Sequence, residues 1–419
     1  MRRMRKRIAA TLIVAGMLVV SAPPAYADWK RNDNQPCAKP HPTEDPAWQT
    51  NALGVQGLWR FATGKNQTVA VIDTGVNKHP RLTDGGRLTG GRDFVDPPAN
   101  GLVDCDGHGT IVAGLIAASW DQKPGGFGGM APQAKIISYR NTSKKYTNQA
   151  AGNDAGVLAD AINDAVRNGA RVINISEAGC GAGTPALRDA VAAAVRANTV
   201  VVAAAGNLEQ QGNGPCSKQN TPDNVVTEVI PAVYDQDVLT VASTAQDGGL
   251  SDFSITGPWV DVAAPGERIV SLDGGEGANS TSNIEPDQGT PNGIRGTSFA
   301  APLVAGLAAL VRERYPNLDA RQVMRRIERT SSHPSGPDNR DQNVGYGVIN
   351  PQAALTAVLP EEGDAGKPAA ELLMSVNGPQ APSKWPMIVS LSVTGAAFVG
   401  LLLTAFIVFT VKRNRRQAT

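Results

Sequence analysis

The sequence predicts an α/β fold with a mainly parallel central β-sheet. Unbroken apolar and β-branched runs recur along the 419-residue chain, and helical patterns lie between them. Such runs are typical of strands covered on both faces, and their alternation with helices favours parallel pairing. A functional site is expected beyond the carboxyl ends of the strands. The predicted strands are residues 68–72, 134–139, 172–176, 199–205 and 238–242.

Helical patterns separate or follow these strands. Two of them, residues 111–118 and 302–310, have no polar face and are expected to be buried on all sides. Glycine-rich stretches at 85–91 and 125–129 lack the strand-turn-helix setting of a phosphate loop, so surface turns are predicted there. The remaining predicted helices are residues 154–168, 185–198, 319–329 and 351–357.

The N-terminus has the pattern of a secretory signal peptide at residues 1–27. Five basic residues within 2–7 precede an apolar run at 8–20 and the small-residue site that ends in Ala27. An uncleaved anchor is the alternative, but the apolar run is short for a membrane span and is followed by two prolines. The sequence therefore predicts export, with cleavage after Ala27.

The C-terminus predicts a transmembrane helix at residues 387–411, which are 25 residues without a charge. That length crosses a bilayer with some tilt, and the basic cluster at 412–416 predicts a cytoplasmic tail, residues 412–419. A buried core helix with a basic tail is the alternative. The favoured interpretation is an exported domain that one C-terminal span tethers to a cell membrane, with the main domain on the extracytoplasmic side.

Charge excludes a nucleic-acid partner. The two predicted targeting ends hold nine of the 39 basic residues and no acidic ones, so residues 28–386 carry 30 basic residues against 38 acidic residues. An acidic exported region lacks the basic surface with which proteins neutralise phosphates. The basic clusters therefore belong to membrane topology.

Between the two ends, composition divides the chain into three parts. Residues 28–65 are polar and proline-rich and predict an extended arm, 66–358 predict the folded domain, and 359–386 predict a linker. Four cysteines lie in the exported region, where disulfides persist, and none has the CxxC spacing of a metal site. Three connectivities are open to four cysteines.

Three residues at predicted element ends carry the functional hypothesis. Asp73 follows the first strand, His108 precedes helix 111–118, and Ser298 precedes helix 302–310. Each has a structural alternative, since Ser298 alone is explained as a helix cap and a single histidine is often structural. Together they match a nucleophile whose proton goes to an imidazole that a carboxylate orients. Asn207, after another strand, supplies an amide that would form an oxyanion hole with the Ser298 N–H.

The blocks that hold these residues resemble the signatures of the subtilisin-like serine proteases. They read VAVIDTGV at 69–76, GHGT at 107–110, AAAGN at 203–207 and GTSFAAP at 296–302, followed by GYGVINP at 345–351. The resemblance implies a three-layer α/β fold with helices on both faces of the sheet. It also implies peptide-bond hydrolysis by a triad of Asp73, His108 and Ser298, with Asn207 and Ser298 in the oxyanion hole and no cofactor required.

The resemblance further implies that a peptide substrate pairs with the backbone that follows strand 172–176. The implied substrate-binding residues are Ser176, Glu177, Ala178, Gly179, Ala205 and Gly206. Glu177 departs from the family, in which an apolar residue usually follows the serine, and is expected to alter subsite preference. Structural calcium, common in the family, is unplaced, because the acidic loop at 93–106 is only a weak candidate.

The arrangement of signal peptide, arm, domain, linker, span and basic tail resembles the mycosins. These are membrane-anchored subtilases of actinobacterial type VII secretion systems, and the resemblance implies secretion-system components as partners. The positions of the loops favour a Cys37–Cys105 bridge, which would fasten the short arm to the domain, and a Cys180–Cys216 bridge between two loops near the cleft. Two hypotheses follow: an endopeptidase that cleaves exported proteins, or a structural component of the secretion complex with proteolysis secondary.

Overall fold

The structure is a computed structural model of the chain, divided by its internal contacts into two units, 1–371 and 372–419. The predicted signal peptide, most of the linker, most of the predicted span at 387–411 and the C-terminal tail lie outside the described residues. Within the described part, no helix is both long enough and apolar enough to cross a bilayer. The described residues are 30–31, 36–97, 99–122, 126–147, 155–209, 214–286, 293–334, 339–369, 403–405, 407–408 and 410.

A seven-stranded, all-parallel sheet forms the centre of the first unit. Its strands are β2 (Thr68–Asp73), β3 (Leu88–Asp93), β4 (Lys135–Arg140), β6 (Val172–Ile175), β8 (Val200–Ala204), β10 (Leu239–Thr244) and β11 (Val262–Pro265), in the order β11-β10-β8-β6-β2-β4-β3. Shorter strands pair outside this sheet. They are β1 (Lys30–Arg31) with β5 (Tyr146–Thr147), β7 (Gly179–Cys180) with β9 (Val229–Ile230), and β12 (Ser271–Leu272) with β13 (Thr281–Ser282).

Burial explains why the central strands have unbroken apolar sequences. Every residue of β6, β8, β10 and β11 is buried, and side chains alternate between the faces of a strand, so both faces are covered. Two pairs of helices provide cover: α4 (His108–Ala117) packs on α7 (Thr297–Arg314), and α5 (Ala155–Arg167) packs on α6 (Pro185–Arg196). The parallel sheet with helices that the sequence predicted is therefore present.

The remaining helices are short or lie at the periphery. α3 (Pro80–Thr83) follows β2, and α8 (Ala320–Thr330) begins with a capping box formed by Asp319 and Gln322. α9 (Pro351–Thr356) has Asn350 as its cap. Short 3₁₀ turns occupy Asp84–Gly86 and Pro360–Gly366.

The prediction of a surface turn at 85–91 is wrong for the second half of this stretch, which belongs to the edge strand β3. Most of its side chains are at least partly exposed, so it lacks the apolar signature of its neighbours. Gly91 is needed there because an added Cβ would lie 2.6 Å from the ring of Tyr139. A close approach between strands, not a turn, accounts for this glycine.

The N-terminal arm is more structured than predicted. Residues 36–46 are extended, but α1 (Trp48–Ala52) and α2 (Val55–Leu58) fold within the part predicted to be extended. Val55 and Leu58 are buried in the main core. The domain therefore begins before residue 66, and the helices were missed because glycines at 54 and 57 interrupt their pattern.

The C-terminal boundary also moves, because residues 359–369 pack on the domain instead of starting a linker. The carboxylate of Glu362 pairs with the guanidinium of Arg326, and both residues are buried. The backbone N–H of Ala369 donates to the carbonyl of Arg314 at 2.7 Å. The polar sequence of this segment hid the fact that one of its acidic residues neutralises a buried arginine.

Candidate active site

Asp73 and His108 meet at the carboxyl end of β2. Asp73 is the last residue of the strand and is fully buried, and His108 is the first residue of α4. The His108 Nδ1 lies 2.7 Å from Asp73 Oδ1. Gly109 permits this approach, because an added Cβ would lie 2.0 Å from the carbonyl oxygen of Gly75. The glycines around the histidine thus allow helix α4 to start against the strand end.

Asp104, which sequence reasoning missed, holds the loop that carries His108. Its buried carboxylate accepts hydrogen bonds from the Gly107 N–H at 2.7 Å and from the Thr110 N–H at 2.8 Å. The hydroxyls of Thr110 and Thr74 also donate to it. Four donors on one carboxylate fix the turn immediately before the helix. Its position four residues before His108 was the only sequence signal for this role.

Ser298 is the second residue of α7, which is buried along almost its whole length. Its N–H therefore lies in the first turn, where backbone donors have no acceptor within the helix. The His108 ring packs on Phe299, the residue after Ser298, with 5.1 Å between ring centroids. The Ser298 Oγ donates to the carbonyl oxygen of Ser176 at 2.9 Å.

A second hydrogen bond between Ser176 and Ser298 compensates for the proline at position 302. Pro302 has no N–H, so the carbonyl of Ser298 loses its donor four residues on. The Ser176 Oγ donates to that carbonyl at 2.8 Å and accepts from the Asn174 side chain at 2.9 Å. We call Ser176 and Ser298, joined by these two reciprocal bonds, the serine pair. It ties the segment after β6 to the start of α7.

Asn207 lies three residues beyond β8, beside the same helix start. Its Oδ1 accepts hydrogen bonds from the Thr297 N–H at 2.9 Å and from the Thr297 hydroxyl at 3.0 Å. These bonds hold the Oδ1 side of the amide against Thr297. The Nδ2 therefore lies on the opposite side of the amide, close to Gly296. Because Asn207 is exposed, a bound molecule can reach this donor.

The other predicted substrate-binding residues divide into two sets. Ser176 is in the serine pair, and the Gly206 N–H donates to the Thr297 hydroxyl at 3.1 Å, so both adjoin the start of α7. Ala205 is fully buried just before Gly206. Gly179 instead pairs with Ile230 in the β7–β9 ribbon, while Ala178 packs against the core. The role of these last two residues in substrate binding stays a prediction.

Glu177 turns toward His108. Its Oε1 lies 3.5 Å from His108 Nδ1, and its side chain is 29% exposed. Burial alone would lower the pKa of His108, but the carboxylates of Asp73, Glu177 and Glu285 outweigh it and raise that pKa. A metal bound between Asp73 and His108 would have to replace their 2.7 Å hydrogen bond, so we describe this group as hydrogen-bonded rather than as a metal centre.

The acidic loop at 93–106 has carboxylates already engaged by protein donors. Asp93 pairs with Arg140 at 3.1 Å and accepts two backbone N–H groups, and Asp106 accepts the Lys144 N–H at 2.8 Å. These contacts do not place a calcium site, so structural calcium stays a prediction.

Both disulfides have the connectivity that the positions of the loops predicted. Cys37 is bonded to Cys105, three residues before His108, and Cys180 is bonded to Cys216. The second bridge joins the β7 strand to the loop that follows Asn207. Each bridge thus fastens a segment close to one of the predicted site residues.

A carboxylate-bound imidazole and a serine at the starts of two buried helices, on a parallel α/β sheet, are features of the subtilisin-like serine proteases. The subtilase family model matches residues 64–347. The chain therefore belongs to the subtilase family, and within it to the mycosins, as its relatives show.

Mycosin-1 of Mycolicibacterium smegmatis is 38% identical over an alignment of 410 residues. The alignment covers 85% of this chain and 88% of that protein. The crystal structure of MycP1 from the ESX-1 type VII secretion system is 39% identical, with a TM-score of 0.71, covering 79% of this chain and 91% of that one. A chain of an intact ESX-5 inner membrane complex is 33% identical, with a TM-score of 0.70 and coverage of 90% and 95%.

Proposed function

We propose that this mycosin is a membrane-anchored serine endopeptidase that cleaves exported proteins with Asp73, His108 and Ser298. The observation that carries the proposal is the 2.7 Å contact between His108 Nδ1 and Asp73, with the His108 ring packed on Phe299 next to the serine. Asp73 orients the ring so that its other nitrogen can accept the proton of Ser298. Ser298 reaches it by a rotation about its Cα–Cβ bond that breaks the bond to Ser176.

The chemistry then follows in two stages. The Ser298 Oγ bonds to the substrate carbonyl carbon while His108 takes its proton, and the oxyanion is stabilised by the Asn207 Nδ2 and the Ser298 N–H. His108 returns the proton to the leaving amine, which breaks the peptide bond. Water activated by His108 then releases the acyl group. No step requires a cofactor. The substrate strand pairs beside Ser176, whose carbonyl becomes available when Ser298 rotates.

The test uses the full-length protein with a fluorophosphonate probe, which modifies activated serines, and with a quenched-fluorescent peptide library. Ser298→Ala is expected to abolish both probe labelling and peptide cleavage while the thermal unfolding profile is kept. The exposed Ser332, which follows helix α8, provides the control, because Ser332→Ala should leave both signals unchanged. Full cleavage by Ser298→Ala would refute the assignment.

We propose the same topology that the sequence predicts: a cleaved signal peptide at 1–27, a span at 387–411 and a cytoplasmic tail at 412–419. The uncharged run and the basic cluster support it. A chain truncated after residue 386 should be recovered in the aqueous fraction, whereas the full chain should be recovered with membranes. Equal partitioning of both forms would contradict the anchor.

A structural role in a secretion complex is the second candidate function. It is favoured because a related chain belongs to an ESX-5 inner membrane complex. Secretion-system membrane components would then be partners of this chain in addition to its peptide substrates. If that role dominates, secretion survives in a strain with Ser298→Ala and fails when the gene is deleted. Failure in both strains would remove the support for a scaffold separate from proteolysis.

A further inference from the structure

The backbone of Glu177 is fixed relative to the proposed nucleophile. It follows Ser176 directly, and the two hydrogen bonds of the serine pair, 2.8 and 2.9 Å long, hold Ser176 against the start of α7. Its side chain is less than one-third exposed. A carboxylate attached to so constrained a segment has a defined position in the site.

In that position, the carboxylate of Glu177 lies near the same ring nitrogen of His108 as the carboxylate of Asp73. The His108 Nδ1 is 2.7 Å from Asp73 Oδ1 and 3.5 Å from Glu177 Oε1. The first contact is a hydrogen bond, whereas the second is too long for one and acts through charge. Two carboxylates therefore lie within 3.5 Å of the His108 Nδ1, although the proposed reaction requires only one.

We propose that Glu177 is a positioning residue that stabilises the protonated form of His108, and that it thereby sets the lower limit of the pH range in which Ser298 is active. The inference rests on the proposed function, because it assigns Glu177 a role toward the proposed general base. It goes beyond the family resemblance, which implied only a change of subsite preference at this position.

The charges around the two groups are consistent with this role. His108 is faced by Asp73 at the end of β2, by Glu177 after β6 and by Glu285, whereas its neighbour from α7 is the uncharged Phe299. Glu177 is faced by His108 and Asp73, and also by Lys144 and Asp106. Burial raises the pKa of Glu177 to about 7, while His108 opposes that rise. Each of the two groups therefore affects the pKa of the other.

A second carboxylate has opposite effects on two properties of the enzyme. By stabilising the imidazolium, it helps His108 accept the proton of Ser298, which favours bond formation. It also keeps His108 protonated to a higher pH, where a protonated ring cannot act as a base. Loss of Glu177 should therefore extend activity to lower pH and reduce the maximum rate at high pH.

The test compares the full-length wild-type protein with Glu177→Gln in two measurements. The first is NMR titration of the His108 ring, which is tractable because the chain has four histidines. The pKa of His108 should fall by about one pH unit or more, since one unit corresponds to a charge pair at this distance in bulk water. The second is the pH dependence of fluorophosphonate labelling. The acid limb of this profile should move to lower pH by the same amount. At a pH below the limb, Glu177→Gln should therefore be labelled roughly tenfold faster, relative to its own maximum, than the wild type.

Three controls separate this role from a structural one. Glu276→Gln removes one exposed carboxylate that is not among those facing His108, and it should leave the pKa of His108 unchanged. Glu177→Asp keeps the charge on a shorter side chain and should give an intermediate pKa, which also covers the case in which Glu177→Gln does not fold. A folded Glu177→Gln protein with an unchanged pKa of His108 would overturn the inference. Absence of labelling in the wild type would instead refute the proposed function. The NMR titration would still decide the role of Glu177.

Discussion

Removal of the Cys37–Cys105 disulfide should destabilise the domain, because this bridge closes the longer of the two covalent loops. The bond joins residues 68 positions apart and fastens the arm beside the loop that carries His108. Hydrogen bonds continue the attachment: the Ala38 N–H donates to the Cys105 carbonyl at 2.8 Å, and the His41 N–H donates to Asp273 at 2.7 Å. The arm is therefore held at several points along residues 37–43.

The magnitude follows from the entropy of loop closure in the unfolded chain. A loop of this length is worth about 4 kcal/mol in the free energy of unfolding. The Cys180–Cys216 bridge closes 36 positions, and since the dependence on length is logarithmic, its value is only about 0.5 kcal/mol smaller. For a domain of this size, either loss should lower the melting temperature by about 6 °C.

Denaturant unfolding of the paired Cys→Ser variants, one for each bridge, measures these values. Ser298 labelling by the fluorophosphonate probe reports the site under conditions in which each variant is folded. Loss of Cys37–Cys105 should leave labelling nearly unchanged, because Asp104 holds the His108 loop with four hydrogen bonds of its own. An unchanged free energy of unfolding would refute the entropic argument, and a large loss of labelling would show that the arm orders His108.

Three further predictions concern single residues. Asn207→Ala should reduce kcat by about 10²- to 10³-fold with a small effect on KM, because it removes one oxyanion donor; steady-state kinetics decide it, and an unchanged kcat would exclude Asn207 from the oxyanion hole. Ser176→Ala should lower the free energy of unfolding by about 1–3 kcal/mol, because Pro302 leaves the Ser298 carbonyl with no helical donor to replace the lost one; equal stability in denaturant would contradict this. Acidification from pH 6.5 to 4 should cost about 3 kcal/mol through His79, because burial lowers its pKa to about 4 while the unfolded chain takes up a proton near 6.5. His79→Gln should flatten that pH dependence, and an unaltered slope would show that other groups cause it.

The buried part of the fold was the most predictable from sequence. Strands β2, β4, β6, β8 and β10 were predicted within a few residues, because a strand covered on both faces needs an unbroken apolar sequence. The edge strands β3 and β11 were not predicted. β3 is partly exposed and rich in glycine, so its sequence resembles a turn, and its place in the sheet depends on contacts with Tyr139 that no local pattern encodes.

The same division applies to the polar segments at both ends of the domain. Glu362 looks like part of a solvated linker until its partner Arg326, 36 residues away, is found to be buried. In the arm, helices α1 and α2 form because Val55 and Leu58 pack on a core built by the rest of the chain. Short elements stabilised by distant residues carry weak local signals.

Sequence by itself determined the residue types of the candidate site and their order along the chain, because a nucleophile, a base, an orienting acid and an oxyanion donor each require a particular functional group. It also determined the class of fold, since alternating buried strands and helices have few ways to pack. Tertiary structure alone decided what each group touches. It brought Asp104 under the His108 loop, joined Ser176 to Ser298 across 122 positions, and turned Glu177 toward His108. Such contacts depend on distances between segments far apart in sequence, which only the packed sheet and helices fix.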